Sequence, residues 1–435
     1  MFTKKAPYTS RPSTIAVLFS ICLAAAHIYQ CYGAEIRAFP DSEHYSNLAR
    51  SHLPELLWQS RPPLSIAIFR VFLDTPAAMC LFQVVIYISA WSTLFAAVAY
   101  TVRPLLLQFA VTAALFYFAL YPDFAQWSKT LLTETSSISL SVFAVATFLL
   151  WLKTNHWLYL TLLVSALAVN GQIRDSAALF GLLLGAVVGV VAFVRKNRIA
   201  AVTTVLILLA NFLFSNWSAA APGAPALNAR WLFPMFNIIG RVILPNPEYT
   251  AFFAARGMPT SEAVMSMSGL WAHERDIAFY VAPELEELRE WTRSHGKLTY
   301  LQFLLAHPRF VLSEPWKDKK NWLHLNNLST RFYIPKNFTA FDSVRIGFKY
   351  VYILNVVIVI AFCLLILIRR DGDALLRLFI VASFFLIGVA MAEYAFHAGS
   401  PMEVPRHSLP TPLQAVLLLA VAAALAKPIE NLNDG

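Results

Sequence analysis

Apolar runs of about 17–25 residues, nearly free of charge, recur along this chain, the length needed to cross a hydrocarbon core. That pattern restricts the fold more than any motif, because within a bilayer the backbone must satisfy its own hydrogen bonds, as helices or a closed barrel. The runs are continuous and do not alternate in period two, so they read as helices. Only 14% of the 435 residues are charged while 58% are hydrophobic, well below the roughly one quarter charged of a soluble domain. The chain is therefore expected to be an all-α polytopic membrane protein.

About ten spans are expected, near 13–33, 77–100, 104–121, 134–152, 157–170, 176–194, 199–217, 349–368, 374–396 and 411–426. The apolar segment 63–73 is too short to span and reads as an interfacial or re-entrant helix. The first run continues through His27 to Tyr32 without a clean small-x-small cleavage site, so it reads as a span and not as a cleaved signal. Three units follow: an N-terminal transmembrane module over 1–217 with a first outer loop at 34–76, a helical outer subdomain over 218–348, and a C-terminal transmembrane module over 349–435. In the middle unit Pro283 to Gly296 reads as one helix, and Leu298 to Ala306 as a second, stopped by His307-Pro308. That unit is expected to rest on the outer membrane surface.

Basic residues set the expected orientation. Lys4, Lys5 and Arg11 precede the first run, and Arg103, Lys153, Arg195-Lys196-Asn197-Arg198, Arg369-Arg370, Arg377 and Lys427 fall on the same side. Both termini are then cytoplasmic. Asp41, Glu43, Asp123, Glu134, Arg174, Asp175, the 218–346 segment, Glu403 and Arg406 collect on the other side. The formal net charge of +9 is read as topology, and nucleic acid is not an expected partner. Cys22, Cys31, Cys80 and Cys363 lie in or beside apolar runs without ligand spacing, which excludes a disulfide framework and a zinc site. Three Asn-x-Ser/Thr triplets (Asn216, Asn327, Asn337) are too common by chance to choose a compartment. The compact outer unit and the lack of a retention signal suit a bacterial inner membrane.

The charged residues with chemical potential begin at Pro40-Asp41-Ser42-Glu43-His44-Tyr45, directly after the first run. Two carboxylates and an imidazole there stand at headgroup level, followed by a short amphipathic stretch to Arg50 and by Arg61-Pro62-Pro63, which turns the chain back. A base fixed at this depth can deprotonate a hydroxyl while a neighbouring group steadies a departing phosphate. Glu134 heads a run, where a helix N-terminus favours a carboxylate. Arg174-Asp175 reads as a structural pair or a phosphate contact. Arg406 can grip phosphate in a bidentate manner or clasp Glu403, and His407 lies beside it. Asp41, Glu43 and His44 also make a candidate divalent site, since oxygen and imidazole ligands suit Mg or Mn.

Pro-Asp-Ser-x-x-Tyr-x-x-Leu-Ala at 40–49 with an Arg-Pro-x-Leu turn at 61–64 resembles the GT-C membrane glycosyltransferases, closest to the protein mannosyltransferase and lipid A aminoarabinose transferase branch. Leu132-Thr133-Glu134, Asn170 to Arg174 and Glu403-Val404-Pro405-Arg406 are similar to further family segments, with His407 replacing the usual Tyr. The resemblance implies a polyprenyl- or dolichyl-phosphate-linked sugar donor, an acceptor that is a glycolipid, a polysaccharide or a protein, and a site on the periplasmic face. It implies Asp41 as the catalytic acid residue of the first outer loop, with Glu43 the less firm second position. Arg406 and Arg174 would hold the donor phosphate, and Arg61, Tyr45 and His44 would border the site. Two alternatives stay open. An O-antigen polymerase or ligase would rely on outer-loop groups such as His295, His307 or His324. A secondary transporter or flippase would rely on buried ionisable residues such as Glu393.

Overall fold

The computed structural model describes residues 13–38, 40–52, 61–102, 105–220, 230–270, 272, 282–317, 360, 374–398 and 410–425. The regular structure of these residues is helical, and their one β feature is an isolated parallel bridge between Arg37 and Thr130. The N-terminal helices are α1 (Thr14–Cys31), α2 (Pro40–Ala49), α3 (Pro63–Val71), α4 (Pro76–Thr101), α5 (Leu105–Ala119), α6 (Pro122–Ala125), α7 (Glu134–Thr154), α8 (Trp157–Gly171), α9 (Asp175–Val194) and α10 (Arg198–Ala220). After α10 come α11 (Leu232–Ile238), α12 (Pro247–Ala254), α13 (Glu262–Met265), α14 (Glu286–Trp291), α15 (Lys297–Ala306) and α16 (Pro308–Lys317), and then α17 (Ala374–Ala398) and α18 (Pro410–Leu425).

Among the described residues six helices, namely α1, α4, α7, α9, α10 and α17, are long and apolar enough to cross a membrane. Helices α5, α8 and α18 coincide with further expected spans but run only 15, 15 and 16 residues, short of the roughly 20 that a full crossing takes. The expected span at 349–368 lies outside the described residues apart from Ile360.

Helix α7 is the pillar of the bundle, with 78% of its apolar window buried against 28% in α1 and 22% in α10. It packs on α4 and α8, α9 packs between α8 and α10, and α17 and α18 pack on each other. Helix α17 also meets α9, while α18 meets α5 and α7. Apolar side chains from both ends of the chain thus share one core, in which Phe148 of α7 meets Phe384 of α17 at 5.5 Å between ring centroids.

Residues 232–310 build a second, separate apolar core around Phe236, Ile239, Phe253 and Phe303. This unit touches the bundle where α11 and α16 meet α17. The expected helix break at Gly296 does not occur. A 3-10 turn at Pro283–Leu285 leads into α14, and a π-helical turn at Thr292–Gly296 carries the chain directly into α15. The break comes at His307, where Pro308 opens the next helix.

The loop from Leu120 to Thr133 is tied down by buried polar groups. Gln30 donates to the Leu120 carbonyl (3.0 Å), Gln83 to the Leu132 carbonyl (2.6 Å) and Tyr87 to the Ala119 carbonyl (2.7 Å). His27 contacts Ser128 Oγ through Nε2 at 3.1 Å and Gln30 Oε1 through Nδ1 at 3.2 Å. A fixed loop at this end gives α2 its floor.

Candidate functional site

Pro40 opens α2, a position where its missing N–H costs nothing and its fixed φ is already helical. Asp41 and Glu43 fall in the first turn, where the helix dipole favours negative charge. Ser42 is buried and its Oγ donates to the Leu131 carbonyl at 2.7 Å, while the Arg37 bridge pins the preceding strand of chain. The Arg37 N–H donates to the Lys129 carbonyl at 3.0 Å, and the Leu131 N–H to the Arg37 carbonyl at 2.9 Å.

Opposite α2, the Arg61-Pro62-Pro63 turn starts α3. The Leu64 N–H donates to the Gln172 carbonyl at 3.1 Å, and Tyr45 stacks on Phe69 at 4.7 Å with 14° between the rings. Arg61 then lies 5.2 Å over the Tyr45 ring and donates through Nη2 to Asp41 Oδ1. The side chains of Arg61 and Asp41 are 30% and 25% exposed, so the pair is formed yet open to an approaching group. Glu43 and His44 are exposed on the same turn. Partial burial and then the Arg61 guanidinium lower the His44 pKa below its usual 6.5, against an upward pull from Asp41.

Two further ion pairs continue from this one. Glu134, heading α7, is paired to Arg174 at 3.3 Å, with side-chain exposures of 2% and 13%. Asp175, heading α9, receives two bonds from Arg230, Nε to Oδ2 at 2.9 Å and Nη2 to Oδ1 at 3.0 Å. Ser215 Oγ donates to the same Oδ1 at 2.9 Å. Arg230 Nη1 also reaches the Arg61 carbonyl at 3.3 Å and Ser218 Oγ at 3.3 Å. Arg174 and Asp175 are therefore not partners of each other. Each holds a residue of another element, Arg174 pairing with Glu134 and Asp175 with Arg230, which also reaches the Arg61 carbonyl.

Arg230 is the residue that sequence reasoning passed over. Its signal was faint: it is the lone charged residue between Arg198 and Arg241, at the end of an Ala/Pro/Gly linker. Close by, Lys297 stands 4.7 Å over the Trp231 ring. Its pKa is lowered by burial and by Arg230, while Asp175 pulls it up.

A groove of about 430 Å³ lies between α3, α4, α7 and α8. Its walls are Leu64 and Ile68 of α3, Phe82 and Ile86 of α4, and Phe143 of α7, with Ser136 and Ser139 on the α7 side. A smaller cleft between α7, α9, α17 and α18 is lined by Glu134, Arg174, Ser137, Ser141 and Gln414.

Compared with known protein families, with curated proteins and with solved structures, the chain gives no significant match.

The remaining expected residues are placed as follows. Arg406, Glu403 and His407 lie outside the described residues, as does His324. Among the described residues no three of His, Cys, Asp and Glu gather as a metal-holding group. His295 Nδ1 meets Ser294 Oγ at 2.7 Å on the surface. His307 Nδ1 meets the Phe303 carbonyl at 3.0 Å, and its ring is packed against Phe303, Phe252 and Tyr249. Glu393 sits near the end of α17, close enough to raise the Tyr300 pKa beyond what burial does.

Proposed function

We propose that this chain is a GT-C type glycosyltransferase of about ten spans, acting at the non-cytoplasmic face of a bacterial inner membrane. It would move a sugar from a polyprenyl-phosphate donor to an acceptor hydroxyl. The observation that carries the reading is the Asp41–Arg61 pair, a part-exposed carboxylate held by a guanidinium.

The chemistry fits such a pair. Asp41 takes the proton of the acceptor hydroxyl, whose oxygen attacks the anomeric carbon from the face opposite the phosphate. The bond from that carbon to the phosphate oxygen breaks, the phosphate leaves with the electron pair, and the configuration inverts. Arg61 matches the geometry of phosphate as well as that of carboxylate. An arriving phosphate can therefore draw Arg61 from Asp41 and leave the carboxylate as a ready base. Arg174, shielded and already paired with Glu134, serves better to fix the mouth of the site, which leaves Arg406 as the second phosphate ligand in this proposal.

The test is transfer in nanodiscs from radiolabelled polyprenyl-phosphate hexose or pentose to membrane extract, with wild type and Asp41→Asn side by side. Label reaching an acceptor with the wild type alone supports both the reaction and the base. Transfer by both proteins keeps the reaction and removes Asp41 from it. No transfer from any donor by folded wild type removes the reaction class.

A further inference from the structure

We infer that the groove between α3, α4, α7 and α8 binds an ester-linked glycerolipid. The argument starts from two hydroxyls. Ser136 and Ser139 are each 3% exposed, both line the groove, and neither Oγ has a hydrogen-bond partner among the described residues.

A serine inside a helix ordinarily satisfies itself by donating to the carbonyl four residues back. Neighbours in this bundle do so: Ser141 donates to the Ser137 carbonyl at 2.9 Å and Thr147 to the Phe143 carbonyl at 2.9 Å. Ser136 and Ser139 depart from that habit, and the Leu132 carbonyl four residues before Ser136 accepts instead from Gln83 Nε2 at 2.6 Å. In the apolar layer a hydroxyl without a partner is costly, so a ligand that brings an acceptor gains from both serines.

The ligand's shape follows from the walls. Phe82 and Thr93, which both line the groove, are eleven residues apart on α4, so the groove runs roughly 16 Å along the bundle at 1.5 Å per residue. The volume falls within the few hundred cubic ångströms of small-ligand sites. Apart from the hydroxyls the lining is hydrocarbon, which suits alkyl chains.

Ser136 and Ser139 are three apart and so share a helix face, about 4.5 Å from each other along the axis. They lie roughly 3 and 7.5 Å below Glu134 by the same rise. A glycerolipid carries two ester carbonyls close together beneath its headgroup, spaced to meet both hydroxyls. An isoprenoid chain carries no acceptor below its phosphate and would leave both hydroxyls unanswered. The assignment goes beyond glycosyl transfer and holds whether or not the chain transfers sugar.

Native mass spectrometry of the full chain tests it, with ester-linked phosphatidylglycerol, the ether-linked analogue of equal chain length, and polyprenyl phosphate as probes. Wild type should retain the ester lipid roughly tenfold better than the ether lipid, as expected for two modest hydrogen bonds. The double variant Ser136→Ala/Ser139→Ala should bind both lipids alike, and Ser136→Thr, which keeps a hydroxyl, should keep the preference. The ester-to-ether ratio is internal to each protein, so a general loss of stability does not imitate the result. Equal retention of ester and ether lipids by wild type overturns the assignment. So does displacement of the ester lipid by an equal concentration of polyprenyl phosphate.

Discussion

Asp41 and Arg61 are twenty positions apart, and the contact between them depends on two backbone devices, the Ser42 bond to Leu131 and the Pro62-Pro63 turn. Replacing Asp41 by Asn preserves shape and removes the charge. Transfer should then be lost while the protein remains monodisperse by size exclusion; near-normal turnover would remove Asp41 from the mechanism. The buried pair makes a different prediction, one of stability. Glu134 is buried and paired with Arg174, and breaking a buried pair by removing one partner costs about 3–5 kcal/mol. Arg174→Met should therefore unfold much earlier in mixed micelles, and adding Glu134→Gln should recover most of the loss. Equal destabilisation by the single and double variants would mean that the pair is not coupled. His44 supplies a pH prediction. Its lowered pKa means that the unfolded chain takes up a proton that the folded chain refuses, so stability is full above 6.5 and falls as pH drops from there towards the folded value. His44→Asn should flatten that acid-side fall in thermal inactivation profiles taken below about pH 6.5. At this scale Asp41, Arg61 and Glu134 were legible, because a charge beside a long apolar run stands out. The partners of Arg174 and Asp175 were not. Arg174 is the extended N-cap residue and Asp175 the first residue of α9, so adjacency in sequence does not make them face each other.

Helices were legible where length decided the matter, and least legible where one continues through an irregular turn. Gly296 looked like a stop, yet the chain passes it in a π-helical turn because Thr292 and Gly296 are both buried there. The same irregularity recurs at Ile239–Ile243, where a π-turn sets Gly240 against the neighbouring loop. A Cβ on Gly240 would stand 2.4 Å from the Leu270 carbonyl oxygen, a backbone atom that cannot swing aside, and the Gly240 carbonyl already accepts from the Gly269 N–H at 2.9 Å. On Gly181 of α9 the nearest atoms would be at 3.5 Å, an ordinary contact. Gly240→Ala should therefore loosen the outer unit, seen as faster proteolysis within 230–317 of the full chain, while Gly181→Ala behaves as wild type. If both are equally resistant, the close approach at Gly240 is not structural. No sequence pattern announces such an approach, because it depends on the loop that folds over the glycine.

For the molecule as a whole, the question left by the sequence is which end of the bundle faces outward. The Asp41–Arg61, Glu134–Arg174 and Asp175–Arg230 pairs gather at one end, where α7 and α9 begin and α10 finishes. The other end holds Lys153, Arg195, Lys196 and Arg198 in two short turns without a carboxylate. There Arg195 Nη2 donates to the Leu152 carbonyl at 2.9 Å and its guanidinium lies 5.5 Å over Trp151. Charge counting alone is weakened by Arg37, Arg61, Arg174 and Arg230, which all belong to the paired end. These residues, however, are held in folded elements or neutralised by carboxylates, and topology follows basic residues in short loops close to the spans. The basic turns should therefore be cytoplasmic. A membrane-impermeant maleimide applied to intact cells should label Glu262→Cys, on the outer unit, and should label Asn197→Cys only after permeabilisation. The opposite pattern would put Asp41 and Arg61 in the cytoplasm, and the proposed donor would then have to be met on its other leaflet. Labelling of both positions in intact cells would mean that α9 and α10 do not form the expected hairpin through the membrane.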